Sequence, residues 1–446
     1  MRPVFDRTIL TICSNNYVSR ALHALESHRD HNEGYNYLLV LCERPDAAVR
    51  PAADWLTTRT MFDVGVPDPE GMGLRYDIVE LNTAIKPFVF RALFAEGCRA
   101  ATYIDPDVSV FDKLYDVDSR ESDAVVTPHM VDARPDGMFP DMHQTLKSGQ
   151  FNFGYLSLRN TPNTADFLAW WADKLLTRCV KDAADGVFVD QSWGAAIVSL
   201  MDKVAIERGK GSHAAYWNLR PGDMAFLDDD FITVRGEPLI MFHFSGFDPT
   251  RPNMLSCHSR RFNPLNLASP VGALALRYAG DIRDREERMP TANLPCSMAR
   301  KADGTPITAI ERRVARGVGP DFREAYVRRT WQFLGRSGIG RGPARVAVYG
   351  AGKHTRWLEG VTAGCGPAPD VVVLLDDHPR DERVGFGLKP TTPESHAEHP
   401  PMWDVILTSS DIPANAARMV ERARSVFGPH VCVLDLYEGC PPGQYV

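Results

Sequence analysis

A helix-like pattern runs directly into an apolar segment in ELNTAIKPFVFRALFAEGCRAATYIDPDVSVF, residues 80–111. Apolar residues recur at helical spacing over residues 80–98, and the short apolar run that follows, AATYI, is typical of a buried strand. Two carboxylates, Asp105 and Asp107, come directly after that run. The stretch therefore predicts a helix that leads into a buried strand, with two like charges at the strand's carboxyl end.

The same alternation fills the residues before this stretch. TILTIC (8–13) and YNYLLVLCE (35–43) are predicted as strands, and YVSRALHALESHRDH (17–31) as a helix. Strands that alternate with helices are typical of a parallel sheet covered by helices. In such sheets ligands bind beyond the carboxyl ends of the strands, so Asp105 and Asp107 are predicted to lie at a binding site.

A divalent cation is the simplest explanation for the two carboxylates. Pro106 cannot donate to a sheet ladder and marks the end of the strand, so both side chains can converge. Two unpaired carboxylates in close proximity repel one another unless a cation neutralises them, and Mg²⁺ or Mn²⁺ suits such an oxygen-rich site. The alternative for the D-x-D triplet alone is a turn in which an Asp caps the following backbone.

Composition argues against several classes of protein. The 446 residues predict two or three domains, and the nine cysteines are scattered singly, which argues against a disulfide framework or a structural zinc site. A formal net charge of -7 gives no general attraction for nucleic acid. The sequence has neither a signal-peptide pattern nor about 20 consecutive apolar residues, so a cytoplasmic protein without a transmembrane segment is expected.

Three domains are predicted: 1–262, a helical connector at 263–342, and a Rossmann-like domain at 343–446. The last begins with the strand, glycine turn and helix of ARVAVYGAGKHTRWLEG, in which Thr355 replaces the third glycine of G-x-G-x-x-G. Dinucleotide binding and docking of a partner are therefore both left open.

The connector is rich in arginine and has helical patterns. Packing of its helices against the first domain is the favoured interpretation. Peripheral contact of Arg328 and Arg329 with an anionic membrane or a lipid-linked acceptor is the alternative.

Four further stretches follow the D-x-D triplet in order: FNFGYLSLR (151–159), FVDQSW (188–193), YWNLRP (216–221) and FHFSGFDP (242–249). Together with the triplet they resemble the nucleotide-sugar glycosyltransferases of the A-type fold, most nearly the retaining family of glycogenin and the bacterial lipopolysaccharide galactosyltransferases. The resemblance covers about residues 5–260. It implies an α/β domain with a mixed, mainly parallel sheet and helices on both faces.

The resemblance also implies a metal site at Asp105, Asp107 and His243. An imidazole nitrogen beside carboxylate oxygens favours Mn²⁺ over Mg²⁺, which prefers oxygen alone. The cation would bridge the diphosphate of a sugar nucleotide. For His243 by itself, the alternative is an ordinary strand histidine between Phe242 and Phe244.

Four motif residues are assigned by resemblance to the donor sugar. Asn152 and Gly154 lie where a strand passes the sugar, the glycine for close approach of the backbone and the amide for a hydroxyl. Asp190 and Gln191 lie near the anomeric carbon. The alternative for Asp190 is a cap on the helix that follows it.

The nucleotide is assigned to the first strand-to-helix turn and to one lysine. Asn16 and Tyr17 can meet the base and ribose, and Lys86 can reach the phosphates, although a solvated helix face is the alternative for Lys86. The family often carries a phosphate-binding lysine in G-x-x-K-P-W, whereas this chain has GFDPTRPN. Arg251 is a candidate substitute for that lysine.

The function that the resemblance implies is a metal-dependent, retaining transfer from a nucleotide sugar, with UDP-sugars favoured, to a glycan, lipid-linked or protein acceptor. Synthesis of cell-surface polysaccharide or glycoconjugate, in the cytoplasm and at the inner face of the membrane, is the expected setting. One alternative is a sugar-nucleotide pyrophosphorylase, although TICSNNYV (11–18) lacks the basic, glycine-rich loop of such enzymes. The other is a non-catalytic nucleotide-binding sensor.

Overall fold

The chain forms two compact units, residues 1–307 and 308–446. The three domains predicted from the sequence stay a prediction, but one segment of the predicted connector, a helix at Pro270–Arg288, packs in a hydrophobic core of the first unit. The computed structural model describes residues 6–132, 137–138, 140–182, 186–227, 231–291, 293–301, 303–308, 311–312, 315–316, 327–328, 330–332, 334–336, 342–379, 385–398, 402–410 and 413–435.

The first unit contains these strands, in chain order: β1 (Arg7–Cys13), β2 (Asn36–Leu41), β3 (Leu56–Thr60), β4 (Ala100–Ile104), β5 (Val108–Val110), β6 (Ala124–Pro128), β7 (Phe151–Arg159), β8 (Lys181–Asp182), β9 (Val187–Phe188), β10 (Val204–Ile206), β11 (Ala214–Ala215), β12 (Met224–Phe226), β13 (Ile232–Val234), β14 (Glu237–Pro238) and β15 (Met241–His243). Its α-helices are α1 (Val18–His31), α2 (Pro69–Arg75), α3 (Ile78–Ala84), α4 (Lys86–Ala95), α5 (Met142–Ser148), α6 (Pro162–Arg178), α7 (Val189–Gly194), α8 (Ile197–Leu200) and α9 (Pro270–Arg288). Short 3₁₀ turns lie at Asn15–Tyr17 and Ser297–Ala299.

The main sheet of the described residues has seven strands in the order β10-β6-β7-β4-β1-β2-β3. Every neighbouring pair is parallel except the two that involve β7, which runs antiparallel to both β4 and β6. The prediction of a mixed, mainly parallel sheet is confirmed.

Helices cover both faces of this sheet. Alternate residues of a strand point to opposite faces, so Leu10 and Ile12 of β1 join one core and Ile9 and Cys13 join another. The first core includes buried residues of α3, α4 and α6, and the second includes those of α1. Each fully buried aliphatic side chain stabilises the sheet by about 1.5–3 kcal/mol.

The single helix predicted over residues 80–98 is wrong, because the structure has two helices that are separated at Ile85. Pro87 is the reason, since proline lacks an N–H and its ring clashes with the carbonyl four residues earlier in a continuous helix. Proline is tolerated in a first turn, where Pro87 lies in α4. The break makes Lys86 the first residue of α4 and buries it.

A small sheet of three strands, β11-β15-β5, connects the D-x-D segment to a distant part of the chain. β5 is antiparallel to β15, with Val108 opposite His243, and β11 is parallel to β15, with Ala215 opposite His243. α9 packs on this sheet, where the ring of Tyr278 stacks on that of Phe244 at 4.0 Å. This pairing brings residue 243 beside residue 107.

The second unit is an α/β domain with a parallel sheet, as predicted. Its described strands are β16 (Arg345–Tyr349), β17 (Asp370–Leu375), β18 (Val405–Thr408) and β19 (Val433–Asp435), and its helices include α10 (Lys353–Thr362) and α11 (Pro413–Phe427), with a 3₁₀ turn at Pro393–His396. The strands lie in the order β17-β16-β18-β19, and all pair in parallel.

Arg329, one of the residues considered for membrane contact, lies outside the described residues. Within the described ranges, every helix is too short or too polar to span a lipid bilayer.

Candidate metal and donor site

Three side chains meet at the junction of the main sheet and the small sheet β11-β15-β5. Asp105 follows β4, Asp107 precedes β5, and His243 is the last residue of β15. Nε2 of His243 lies 3.0 Å from Oδ1 of Asp107 and 3.5 Å from Oδ2 of Asp105. One ligand atom of each residue lies within 4.8 Å of the other two, and we call this group the Asp-Asp-His cluster.

The backbone on both sides of Pro106 is fixed. The N–H of Asp105 donates to the carbonyl of Gly154 in the main sheet at 2.8 Å. The carbonyl of Asp107 accepts from the N–H of Phe244, beyond the small sheet, at 2.8 Å. The two carboxylates therefore converge because each is held by a different sheet.

The donor set and the space in front of it fit a hard divalent cation. Two carboxylates and an imidazole suit Mn²⁺, and less closely Mg²⁺. Gly154 keeps the space open, because a Cβ there would lie 2.6 Å from Oδ2 of Asp105 and 2.7 Å from Cε1 of His243. A larger residue at position 154 would fill the cradle that a cation needs.

Charge attraction within the cluster outweighs the effect of burial. Burial by itself raises the pKa of Asp107, but the neighbouring His243 brings that pKa below its ordinary value. Burial likewise lowers the pKa of His243, but Asp107, with Asp105 beyond it, raises that pKa above its ordinary value. Without a cation, a protonated His243 and an ionised Asp107 stabilise each other.

A second histidine, His213, contacts the ring nitrogen of His243 that does not face the carboxylates. Nε2 of His213 lies 3.0 Å from Nδ1 of His243, and the two rings stack with an interplanar angle of 9°. Nδ1 of His213 lies 2.7 Å from the hydroxyl of Thr127, and burial with repulsion from His243 holds the pKa of His213 well below its usual value. A neutral His213 that donates to Thr127 accepts from Nδ1–H of His243, which leaves Nε2 of His243 free for a cation.

An aromatic ring and a buried arginine also support His243. The indole of Trp217 meets the ring of His243 edge-on at 5.1 Å. The guanidinium of Arg261, which is 6% exposed, donates to the carbonyls of Tyr216, Trp217 and Leu219. Arg261 thus fixes the segment that carries the indole.

Lys86 and Asp190 form a buried ion pair beside the cluster. Nζ of Lys86 lies 2.8 Å from Oδ2 of Asp190, 2.8 Å from the carbonyl oxygen of Phe153 and 3.9 Å from Oδ1 of Asp105. Burial raises the pKa of Asp190 above its usual range, and the ammonium of Lys86 opposes that shift. Both residues are 1% exposed, so the alternative of a solvated face for Lys86 is wrong.

The helix-cap alternative for Asp190 is also wrong. Phe188 occupies the N-cap of α7, and Asp190 lies within the first turn with its carboxylate on Lys86. The chain enters α7 through Val189 at a φ of 43°, in the left-handed region that β-branched residues rarely adopt. Strain of this kind is concentrated at functional sites.

Asn152 and Gln191 are engaged with the protein itself. Oδ1 of Asn152 accepts the N–H of Gly154 at 2.8 Å, and its Nδ2 lies 3.0 Å from Nε2 of His129. The amide of Gln191 donates to the carbonyl of Ser148 at the end of α5. Asn152 therefore shapes the cradle around Gly154, whereas Gln191 lies against α5.

The turn before α1 contains the two residues assigned to the nucleotide. Oδ1 of Asn16 is buried without a hydrogen-bond partner among the described residues. Burial raises the pKa of Tyr17, and the charges of Asp107 and Asp105 contribute to the same shift. Arg251, the candidate substitute for the phosphate-binding lysine, is not buried. Its side chain is 60% exposed and pairs with Asp248 at 2.9 Å.

Sequence reasoning missed His213, Thr127, Trp217 and Arg261. Trp217 and Arg261 lie in or near quoted motifs, but nothing in their spacing indicates which group they contact. His213 stands just before β11, and only the parallel pairing of β11 with β15 brings it to His243. A histidine placed shortly before YWNLRP was the one signal available.

Comparisons with known proteins give distant relatives. No family model matches the chain. The uncharacterized protein YfnF of Bacillus subtilis (strain 168) is 26% identical over an alignment of 180 residues. The match covers 38% of this chain and 58% of the relative, so it spans less than two thirds of the relative's length. The chain is similar in structure to the galactosyltransferase LgtC in complex with donor and acceptor sugar analogues, with a TM-score of 0.38 at 14% identity over 65% of this chain and 97% of that one. It is also similar to the bifunctional glycosyltransferase WbbM, with a TM-score of 0.35 at 14% identity over 62% of this chain and 53% of that one.

Proposed function

We propose that the chain is a metal-dependent glycosyltransferase that moves a sugar from a nucleoside diphosphate, with UDP-sugars favoured, to a glycan, lipid-linked or protein acceptor. The observation that carries the proposal is the Asp-Asp-His cluster, open over Gly154 and beside the buried pair of Lys86 and Asp190. Such a cluster suits a cation that binds a diphosphate.

The residues of the cluster would hold Mn²⁺ or Mg²⁺ against the donor. Asp105 and Asp107 supply anionic oxygens, and His243 supplies Nε2 while its Nδ1 faces His213. When bound, the cation would neutralise charge that develops on the departing nucleoside diphosphate.

The buried pair would serve the sugar side of the reaction. Lys86 fixes the carboxylate of Asp190 at 2.8 Å, so Asp190 can bind a sugar hydroxyl in a defined orientation near the anomeric carbon. The space for the sugar would be lined by Gln191, Asn152 and Gly154. Retention of configuration is inferred from the family resemblance.

The nucleotide and the cellular setting complete the proposal. Asn16 and Tyr17 would contact the base and ribose, since the buried Oδ1 of Asn16 is left for a donor from the ligand. Synthesis of cell-surface polysaccharide or glycoconjugate, in the cytoplasm and at the inner face of the membrane, fits a nucleotide-sugar donor.

The test is incubation of the protein with Mn²⁺ and a panel of UDP- and GDP-sugars, with EDTA and an Asp105→Asn variant as controls. Slow hydrolysis of one donor, or its consumption with an acceptor, supports transfer when EDTA abolishes it. Formation of nucleoside triphosphate from the donor and pyrophosphate would identify a pyrophosphorylase instead. Tight binding without turnover under any condition would identify a sensor.

A further inference from the structure

Arg20 carries a positive charge at a position in α1 where such a charge is unfavourable. It is the third residue of α1, in the first turn, where the helix dipole disfavours a positive charge. Asp and Glu are the residues that a helix start favours, yet the first turn of α1 contains neither. Departures of this kind are expected where a function needs the residue.

The guanidinium of Arg20 is held in place without an ionic partner. Its carbon lies 4.4 Å above the ring of Tyr17, and Nη2 donates to the carbonyl of Phe247 at 3.2 Å. No carboxylate of the described residues forms an ion pair with it, whereas Arg44, Arg99 and others pair closely with acidic groups. A fixed, half-buried guanidinium with N–H donors to spare is suited to bind an anion.

Arg20 contacts both the turn that is assigned to the nucleotide, at Tyr17, and the segment that carries His243, at Phe247. Burial by itself lowers the pKa of Arg20, but Tyr17, Tyr278, Asp107 and Asp248 together raise it, so the group stays cationic. Phe247, which fixes the guanidinium, is four residues after His243 in the same segment. Arg20 therefore joins the turn before α1 to the loop after β15.

Charge balance calls for one more cation at this place. The carboxylates of Asp105 and Asp107 already match the charge of one divalent ion, so the charges of a diphosphate need another positive group. Lys86 is committed to Asp190 at 2.8 Å, and Arg251 is exposed and paired with Asp248. Of these three cations, Arg20 is the one without a carboxylate ion pair among the described residues.

We propose that Arg20 binds the diphosphate of the nucleotide donor through its guanidinium, and that Arg251 does not. The inference rests on the proposed function and adds a residue that neither the motifs nor the resemblance indicated. Arginine binds phosphate oxygens through two parallel N–H groups, so a lysine is a poor replacement.

Calorimetric titration of UDP and GDP in Mn²⁺ tests this with four proteins: wild type, Arg20→Gln, Arg20→Lys and Arg251→Gln, the last of which tests the rival arginine. Arg20→Gln should weaken binding of the preferred diphosphate by at least about tenfold, Arg20→Lys should be intermediate, and Arg251→Gln should equal the wild type. Titration of Mn²⁺ without nucleotide supplies the structural control. Loss of a nearby positive charge should leave Mn²⁺ affinity equal or tighter.

Three outcomes are decisive. Diphosphate affinity of Arg20→Gln within twofold of wild type would overturn the inference and leave the proposed function intact. Equal weakening of Mn²⁺ and diphosphate would overturn it as well, because it would show that Arg20 only supports the fold. A wild type that binds Mn²⁺ but neither diphosphate would overturn the proposed function itself.

Discussion

Asp107 faces His243 at 3.0 Å, and the exchange of one carboxylate oxygen for an amide keeps the shape of this contact while it removes a charge. Asp107→Asn should reduce Mn²⁺-dependent turnover of the preferred nucleotide sugar by at least about 100-fold, or ~3 kcal/mol, as expected for one principal electrostatic element. Steady-state rates measure this effect. Asp112→Asn is the matched control, because that carboxylate accepts the backbone N–H of Lys113, and a loss of under threefold in Asp107→Asn would contradict the metal assignment.

The coupling of His243 to Asp107 predicts how pH acts on stability. The pKa of His243 is raised above its ordinary value, so its contribution to apo stability is fully present below about pH 6.5 and is lost as pH rises through the folded pKa. A bound cation requires the neutral imidazole, so Mn²⁺ should bind about tenfold more weakly per pH unit below that pKa.

Melting curves with and without Mn²⁺ between about pH 6 and pH 8 measure both effects. The stabilisation by Mn²⁺ should grow with pH, and His243→Gln should flatten its pH dependence. If the stabilisation of His243→Gln by Mn²⁺ grows with pH as it does in the wild type, a group other than His243 causes the pH dependence.

His213 should tune the affinity of the cluster for the cation. His213→Leu removes the acceptor for Nδ1–H of His243, whereas His213→Gln retains an acceptor oxygen. Loss of such a supporting group typically costs about 10–100-fold in metal affinity. Titration of Mn²⁺ followed by electron paramagnetic resonance should rank wild type first, His213→Gln second and His213→Leu last, and equal affinities would remove His213 from the site.

At the level of residues, the sequence predicts those site residues that belong to motifs in a recognisable order along the chain. Asp105, Asp107 and His243 were assigned to one site through the order of five motifs in the family resemblance, and the structure brings the three side chains together. The buried ion pair of Lys86 and Asp190 was not predicted, since 104 positions separate the two residues and only the fold brings them to 2.8 Å.

Among the elements, β7 passes the cluster so closely that only glycine fits at position 154. A Cβ would lie 2.6 Å from both Oδ1 of Asn152 and Oδ2 of Asp105. Gly154→Ala should therefore lower Mn²⁺ affinity and the melting temperature together. Gly280→Ala in α9 is the matched control, since a Cβ there meets nothing within 4 Å and alanine should stabilise the helix by about 0.5–1 kcal/mol. A melting temperature of Gly154→Ala equal to that of the wild type would contradict the close approach.

Elements with a strong local pattern were predictable, and those made by long-range pairing were not. β1, β2, β4 and α1 match their predicted positions within about two residues, because buried runs and helical spacing are local signals. The small sheet of β5, β11 and β15 has two or three residues per strand, which is too short for a periodic pattern. Its existence depends on pairing across more than a hundred residues.

For the whole molecule, the residues of the candidate site all lie in the unit that ends at residue 307. The second unit has the glycine turn of a Rossmann-like domain, but the hydroxyl of Thr355 is engaged inside the domain, where it donates to the carbonyl of Gly350 and lies 3.0 Å from the hydroxyl of Ser409. Donor binding should therefore not need the second unit.

Two truncations separate this expectation from a simple loss of solubility. A chain that ends at Ile307 should fold, bind Mn²⁺ and UDP as the full chain does, and melt in one transition. A chain that ends at residue 342 should bind equally but aggregate more readily, because Val327, Trp331 and Leu334 belong to the core of the second unit and would lose the partners that bury them. Light scattering and calorimetric titration of the two proteins measure these differences. A folded, monodisperse 1–307 chain that does not bind UDP, beside a full chain that does, would move part of the donor site into the second unit.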